Sequence, residues 1–241
     1  TFTRNLARNI QENLNHLCGP ELERIEVANI HHWAMTFLGS QGFDPQIASR
    51  EEVDRCWEEA IRVLGSDAYE ESFYRSEWED VVQAQGIKSR AEYFRARRQG
   101  QGRPLNRKQR AEVWEVLAEF KSRLDELGKM EWADVITEAR LLLENKGDIL
   151  PYTAVVVDET QDLYPEELRL LRQIVPEGPN DLFFVGDAHQ RIYGRPVAMS
   201  RSGIDIRGRS RKLRINYRTT DEIRRWSFAV LKDLPFDDLD G

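Results

Sequence analysis

Apolar positions recur along this chain with two different periods, and the change falls near residue 153. In residues 5–17, Leu6, Ile10, Leu14 and Leu17 lie three or four apart, which predicts a helix with one apolar face. Residues 24–28 (Arg-Ile-Glu-Val-Ala) alternate polar and apolar, which predicts a short strand. From about residue 43 to 132 the pattern is helical throughout. It is clearest in residues 111–127, where Val113, Val116, Leu117, Phe120, Leu124 and Leu127 form one stripe. Residues 97–106, rich in glycine, arginine and glutamine, read as a loop inside this helical block.

Beyond residue 153 the helical period gives way to strand, helix and strand. Val155-Val156-Val157 is a β-branched run that predicts a buried parallel strand. Pro165 then opens a helix with Leu168, Leu171 and Ile174 on one face. Leu182-Phe183-Phe184-Val185 predicts a second buried strand ending in the turn Gly186-Asp187, and residues 212–215 a third. Thr219-Thr220-Asp221-Glu222 predicts a capping box for a helix reaching about residue 233, ahead of an acidic tail. The expected fold class is α/β: a parallel sheet with helices on both faces and a large all-helical insertion. The expected division is a core of residues 1–40 and 133–234, an insertion of residues 41–132, and a tail of residues 235–241.

Composition narrows the classes. Forty per cent hydrophobic and 32 per cent charged residues suit a soluble chain with a real core. No apolar run approaches the roughly 18 residues of a membrane span, so no membrane partner is expected. Cys18 and Cys56 lack the spacing of a disulfide framework or metal site, and the four histidines lack zinc-like company, which predicts a cytoplasmic chain without a Cys/His-bound metal. The net charge of −7 is unevenly spread. Residues 88–110 hold nine basic residues against one acidic, residues 201–218 seven against one, and residues 51–80 eleven acidic against three basic. Such segregation fits a localised polyanion site, and equally solvated helix faces and loops.

The chemistry concentrates in Asp158-Glu159-Thr160-Gln161-Asp162, at the carboxyl end of the first predicted core strand. Open α/β sheets place their ligands there. A carboxylate at Asp158 suits Mg²⁺ bridging nucleotide phosphates, and Glu159 suits orienting or deprotonating an attacking water. The segment looks like the second half of a nucleoside-triphosphatase site. The other half, the glycine loop and lysine of G-x-x-x-x-G-K-[ST], occurs nowhere in the chain. With Thr1-Phe2-Thr3 in place of an initiator methionine, the chain reads as a fragment whose phosphate loop lies upstream.

Four further segments occur in a fixed order with that one: Thr1-Phe2-Thr3-Arg4-Asn5-Leu6-Ala7, Asn29-Ile30-His31-His32-Trp33, Gly186-Asp187-Ala188-His189-Gln190-Arg191-Ile192-Tyr193, and Leu213-Arg214-Ile215-Asn216-Tyr217-Arg218-Thr219-Thr220. Together they resemble the first motor domain of superfamily 1 DNA helicases of the UvrD/Rep type, motifs Ia to IV, over residues 1–38 and roughly 133–232. The resemblance implies an incomplete RecA-like parallel sheet and a walk along single-stranded DNA driven by ATP and Mg²⁺. It implies Asp158 as metal ligand, Glu159 as water activator and Gln161 as the link between nucleotide and DNA sites. It implies Asp187 and Gln190 near the nucleotide, Gln190 and Arg218 sensing the γ-phosphate, and Tyr217 stacking on adenine. Phe2, Thr3 and His31 would meet the tracking strand, although Asn29 and His32 depart from the family pattern and His31 also suits a structural role.

After Tyr193 this chain has Gly194-Arg195-Pro196 where relatives place an aromatic residue and an arginine. Tyr193 or Arg195 then stacks on a base, or base stacking is weak. The implied partners are single-stranded DNA, a single-strand/duplex junction reached by residues 88–110, and a second motor domain; the implied polarity is 3′ to 5′. The chain is expected to be monomeric and, by itself, inactive. Two alternatives are a catalytically silent nucleic-acid-binding or regulatory module and the motor part of a helicase–nuclease.

Overall fold

The computed structural model describes residues 4–65, 68–98, 103–147, 149–187, 199–213, 215, 217 and 219–231. Their elements are α1 (Arg4–Leu17), α2 (Ile30–Ser40), α3 (Arg50–Leu64), α4 (Glu71–Glu77), α5 (Arg90–Arg95), α6 (Arg107–Glu126), α7 (Trp132–Lys146), β1 (Val155–Val157), α8 (Pro165–Ile174), β2 (Leu182–Phe184) and α9 (Asp221–Leu231). A π-helical turn, Trp78–Gln83, continues α4. No described helix is long and apolar enough to cross a membrane.

Two apolar clusters organise these elements. The first draws on α3, α4, the π turn, α5 and α6, with Trp57, Tyr74, Tyr93, Val113, Leu117, Phe120 and Leu124 buried. Trp57 stacks on Phe120 with ring centroids 3.8 Å apart, and Trp78 meets both rings edge-on. The helices start where side chains satisfy their free N–H groups: Ser49 with Glu52 ahead of α3, Ser89 with Glu92 ahead of α5, Asn106 with Gln109 ahead of α6. The second cluster joins α2, α7 and α8 to one face of the sheet through Phe37, Leu38, Ile136, Leu143, Val157, Leu168 and Leu171.

The sheet described has two parallel strands, with Val155, Val156 and Val157 in register with Leu182, Phe183 and Phe184. Val157 is buried, whereas Val156 and Phe183 on the opposite face are 73% and 61% exposed. This is an incomplete RecA-like α/β core carrying a helical insertion.

Two predicted strands are not formed. Residues 19–24 make a 3₁₀ turn and residues 25–29 continue as irregular chain, because no described strand lies alongside to pair with them. Lys212, Leu213 and Ile215 also form no strand, and Leu213 and Ile215 are 94% and 69% exposed. Alternation of side chains describes a strand only when a neighbour supplies the ladder hydrogen bonds. Helix α9 forms as expected, with Thr220 Oγ1 accepting the Ile223 N–H at 3.5 Å, but Ile223, Trp226 and Val230 stay exposed.

Candidate nucleotide site and the seam beside it

At the end of β1 the backbone turns sharply. Glu159 adopts φ 56° and ψ 42°, a left-handed conformation that glycine or asparagine takes more readily. Its own N–H donates to Asp158 Oδ1 at 3.0 Å. The chain then enters a 3₁₀ turn, Thr160–Asp162, pinned to β2 because Thr160 donates both its N–H (3.1 Å) and its hydroxyl (2.9 Å) to the Val185 carbonyl. A strained non-glycine residue held by surrounding bonds is a common mark of a working site.

Gln161 completes the turn. Its side chain is buried, its Nε2 donates to Glu159 Oε2 at 2.7 Å, and its Oε1 accepts the Asp187 N–H at 3.0 Å. Glu159, Gln161 and Asp187 therefore form one hydrogen-bonded chain across the carboxyl ends of β1 and β2. Gly186 makes that approach possible through its size: an added Cβ would lie 2.6 Å from Gln161 Oε1 and 3.2 Å from the Thr160 nitrogen. Gly186 is not among the glycines with positive φ, so the close approach and not backbone freedom calls for glycine here.

His31 lies elsewhere, near the start of α2. Asn29 caps this helix by accepting the N–H groups of His31 (3.0 Å) and His32 (3.2 Å), which accounts for asparagine at that position. The His31 ring meets Trp132 edge-on, and its Nε2 is 3.4 Å from Glu167 Oε1 in the first turn of α8. Burial lowers the pKa of His31. Burial also pushes the Glu167 carboxyl up to about 7, against the lowering effect of the Tyr164 N–H that donates to it at 2.8 Å. A cavity of about 320 Å³ opens here, lined among others by His31, Glu79, Gln83, Asp162, Tyr164 and Glu167.

That cavity lies in the seam between the two clusters. Across the seam Trp78 Nε1 and Gln83 Nε2 each donate to Glu131 Oε2 at 2.6 Å, and burial raises Glu131 to about 7. Glu166 is flanked by Arg140 (2.5 Å) and Arg169 (2.7 Å), and Arg169 also donates to the Gln85 carbonyl at 3.0 Å. Neither Glu131 nor Glu167 stands out in the sequence, the one capping the start of α7 and the other lying in the first turn of α8.

The structure thus brings Asp158, Glu159, Gln161 and Asp187 together and places His31 apart from them. Tyr217 is 90% exposed. Phe2, Thr3, Gln190, Tyr193, Arg195 and Arg218 lie outside the described residues.

The basic stretch of residues 88–110 is only in part an outward surface: Lys88, Arg90, Arg95, Arg97, Arg103, Arg107 and Lys108 are exposed, whereas Arg98 is not. Arg98, whose side chain is 5% exposed, pairs with the fully buried Glu77 through Nε (2.6 Å) and Nη2 (2.7 Å). Arg110 donates to the carbonyls of Tyr93, Phe94 and Ala96, Arg103 lies over the Tyr69 ring, and Lys88 pairs with Glu138 at 2.6 Å. Arg98 is a core ion-pair partner and no part of an outward polyanion surface; Arg95 and Arg97 do face outward.

Residues 1–199 match the model of the UvrD/REP helicase N-terminal domain. The chain belongs to the UvrD/REP helicase family. No curated protein matches it. Membership of this family implies use of nucleotide and binding of DNA.

Proposed function

We propose that this chain is part of an ATP-driven, single-stranded-DNA-tracking motor, and that Glu159 is its water-activating base. The Glu159–Gln161–Asp187 chain of hydrogen bonds supports this reading most directly. It holds a carboxylate at a strand end in one orientation and ties it to the neighbouring strand end. Gln161 is thereby suited to pass a change at the nucleotide to the β2 turn and the segment that follows it.

Asp158 fits Mg²⁺, which takes one or two protein carboxylates and completes its shell with phosphate oxygens and water. When bound, Mg²⁺ supplies charge neutralisation between the phosphates. Asp158 contributes a half-buried carboxylate there, with Oδ1 anchored to the Glu159 N–H. Glu159 takes the proton of the attacking water. Gln190 and Arg218 sense the γ-phosphate, Tyr217 stacks on adenine, and a second motor domain closes on the nucleotide. The motor tracks 3′ to 5′ along single-stranded DNA, which meets Phe2, Thr3 and His31, with Tyr193 or Arg195 against a base, in a cytoplasmic protein. The 241 residues contain no phosphate-cradling glycine–lysine loop, so by themselves they hydrolyse ATP negligibly.

The test is ATP hydrolysis by a polypeptide that joins this chain to a phosphate loop and a second motor domain, with no nucleic acid, single-stranded DNA or RNA. Stimulation by DNA that Glu159→Gln abolishes is the expected result. A folded, nucleotide-binding polypeptide without hydrolysis would move the reading to a silent binding module.

A further inference from the structure

We infer that Glu167 is a positioning residue that decides which imidazole nitrogen of His31 carries the proton, and so whether His31 offers a donor or an acceptor to the nucleic-acid strand. This rests on His31 meeting that strand, as proposed above.

The geometry isolates the pair. Glu167 Oε1 faces His31 Nε2 at 3.4 Å, while the other carboxyl oxygen is taken by the Tyr164 N–H at 2.8 Å. Trp132 meets the ring edge-on, and the His31 side chain remains one-third exposed. A neutral imidazole has one donor nitrogen and one acceptor nitrogen, and the bond made by one dictates the other. With Glu167 protonated, its O–H donates to Nε2, the ring proton sits on Nδ1, and Nδ1–H suits a phosphate oxygen. With Glu167 ionised, the carboxylate accepts from Nε2–H, Nδ1 becomes an acceptor, and a negative charge stands behind the ring. The change takes one proton from solvent onto Glu167 and moves one between the ring nitrogens through solvent.

The surroundings place this change near neutrality. Glu167 titrates at about 7, and burial keeps His31 below its ordinary value. The other ionisable groups on this cavity are Glu79 from the π turn, Asp162 from the 3₁₀ turn, Tyr164, and Glu166. Glu166 is matched by Arg140 and Arg169. Among the described residues no lysine or arginine lines the cavity to hold Glu167 ionised at lower pH.

The experiment has two arms on wild type, Glu167→Gln and His31→Ala. ¹⁵N-resolved NMR of His31 between pH 5.5 and 8.5 reads the tautomer without DNA; in wild type it should pass from Nδ1–H to Nε2–H around pH 7, and in Glu167→Gln it should not change. Anisotropy of a labelled oligo-dT at fixed ionic strength reads the contact. Wild type should bind about 3- to 10-fold more weakly at pH 8 than at pH 6, and both variants should lose that dependence. A pH-independent tautomer in wild type, or a pH slope that survives Glu167→Gln, overturns the inference. A tautomer switch in a protein that binds no single-stranded DNA would instead refute the proposed function.

Discussion

The side-chain oxygen of Gln161 accepts the backbone N–H of Asp187 at 3.0 Å, which joins the turn after β1 to the turn after β2. The bond depends on Gly186, where a methyl group would come within 2.6 Å of that same oxygen. Gly186→Ala should therefore push the two turns apart and lower stability by about 1–3 kcal/mol, as overpacking does. Urea denaturation checks the size. In a hydrolysis-competent polypeptide, Gln161→Ala should reduce the turnover rate more than it weakens nucleotide binding, because it frees Glu159 and leaves the phosphate contacts alone.

Arg98 separates structural from surface charge in the basic stretch. Removing it strands the fully buried Glu77, so Arg98→Ala should cost about 3–5 kcal/mol. Arg95→Ala and Arg97→Ala should change stability by less than about 0.5 kcal/mol. If this stretch touches duplex DNA, only the latter pair should flatten the salt dependence of binding. A fully stable Arg98→Ala protein would contradict the buried pair.

Two buried carboxyls make stability fall with pH. Glu131 and Glu167 titrate at about 7 against an ordinary 4.5, burial being the main cause in each case. Such groups favour the folded state while protonated; that contribution is whole below about 4.5 and is lost as pH rises through about 7. Denaturation free energies should thus drop by up to about 3 kcal/mol for each group between pH 4.5 and 8. Glu131→Gln should be more favourable relative to wild type at pH 8 than at pH 5, and a parallel pair of pH curves would refute this assignment.

Tyr217 has no packing role among the described residues, being 90% exposed. Tyr217→Ala should leave the denaturation midpoint unchanged to within about 0.5 kcal/mol. If the ring stacks on adenine, the same change weakens ATP binding about tenfold, by analogy with base–aromatic stacking. Loss of both stability and binding would mean the ring packs against protein instead.

Much of the helical content was readable because it depends on local terms. The stripe Val113, Val116, Leu117, Phe120 and Leu124 is buried as its spacing predicts. The end of the stripe, Leu127, is 45% exposed because it lies one residue past α6. The strand at Val155–Val157 and the helix opened by Pro165 follow from spacing too, but the strand is buried on one face only, Val156 being 73% exposed. Residues 24–28 and 212–215 were misread because alternation specifies a face, whereas a strand also needs a neighbour.

The sequence by itself determined the order of the helices and of the strands β1 and β2, the carboxylates after β1 and the kinship they carry, since these follow from residue identity and spacing along the chain. Only the tertiary structure decided that Gln161 spans two strand ends, that Arg98 neutralises Glu77, and that His31 answers to Glu167. Each of these pairs is separated by 21 to 136 positions or by a turn of the backbone. Burial and partner choice are properties of the packed interior, and a carboxylate in a helix first turn looks the same in sequence whether water or a histidine faces it.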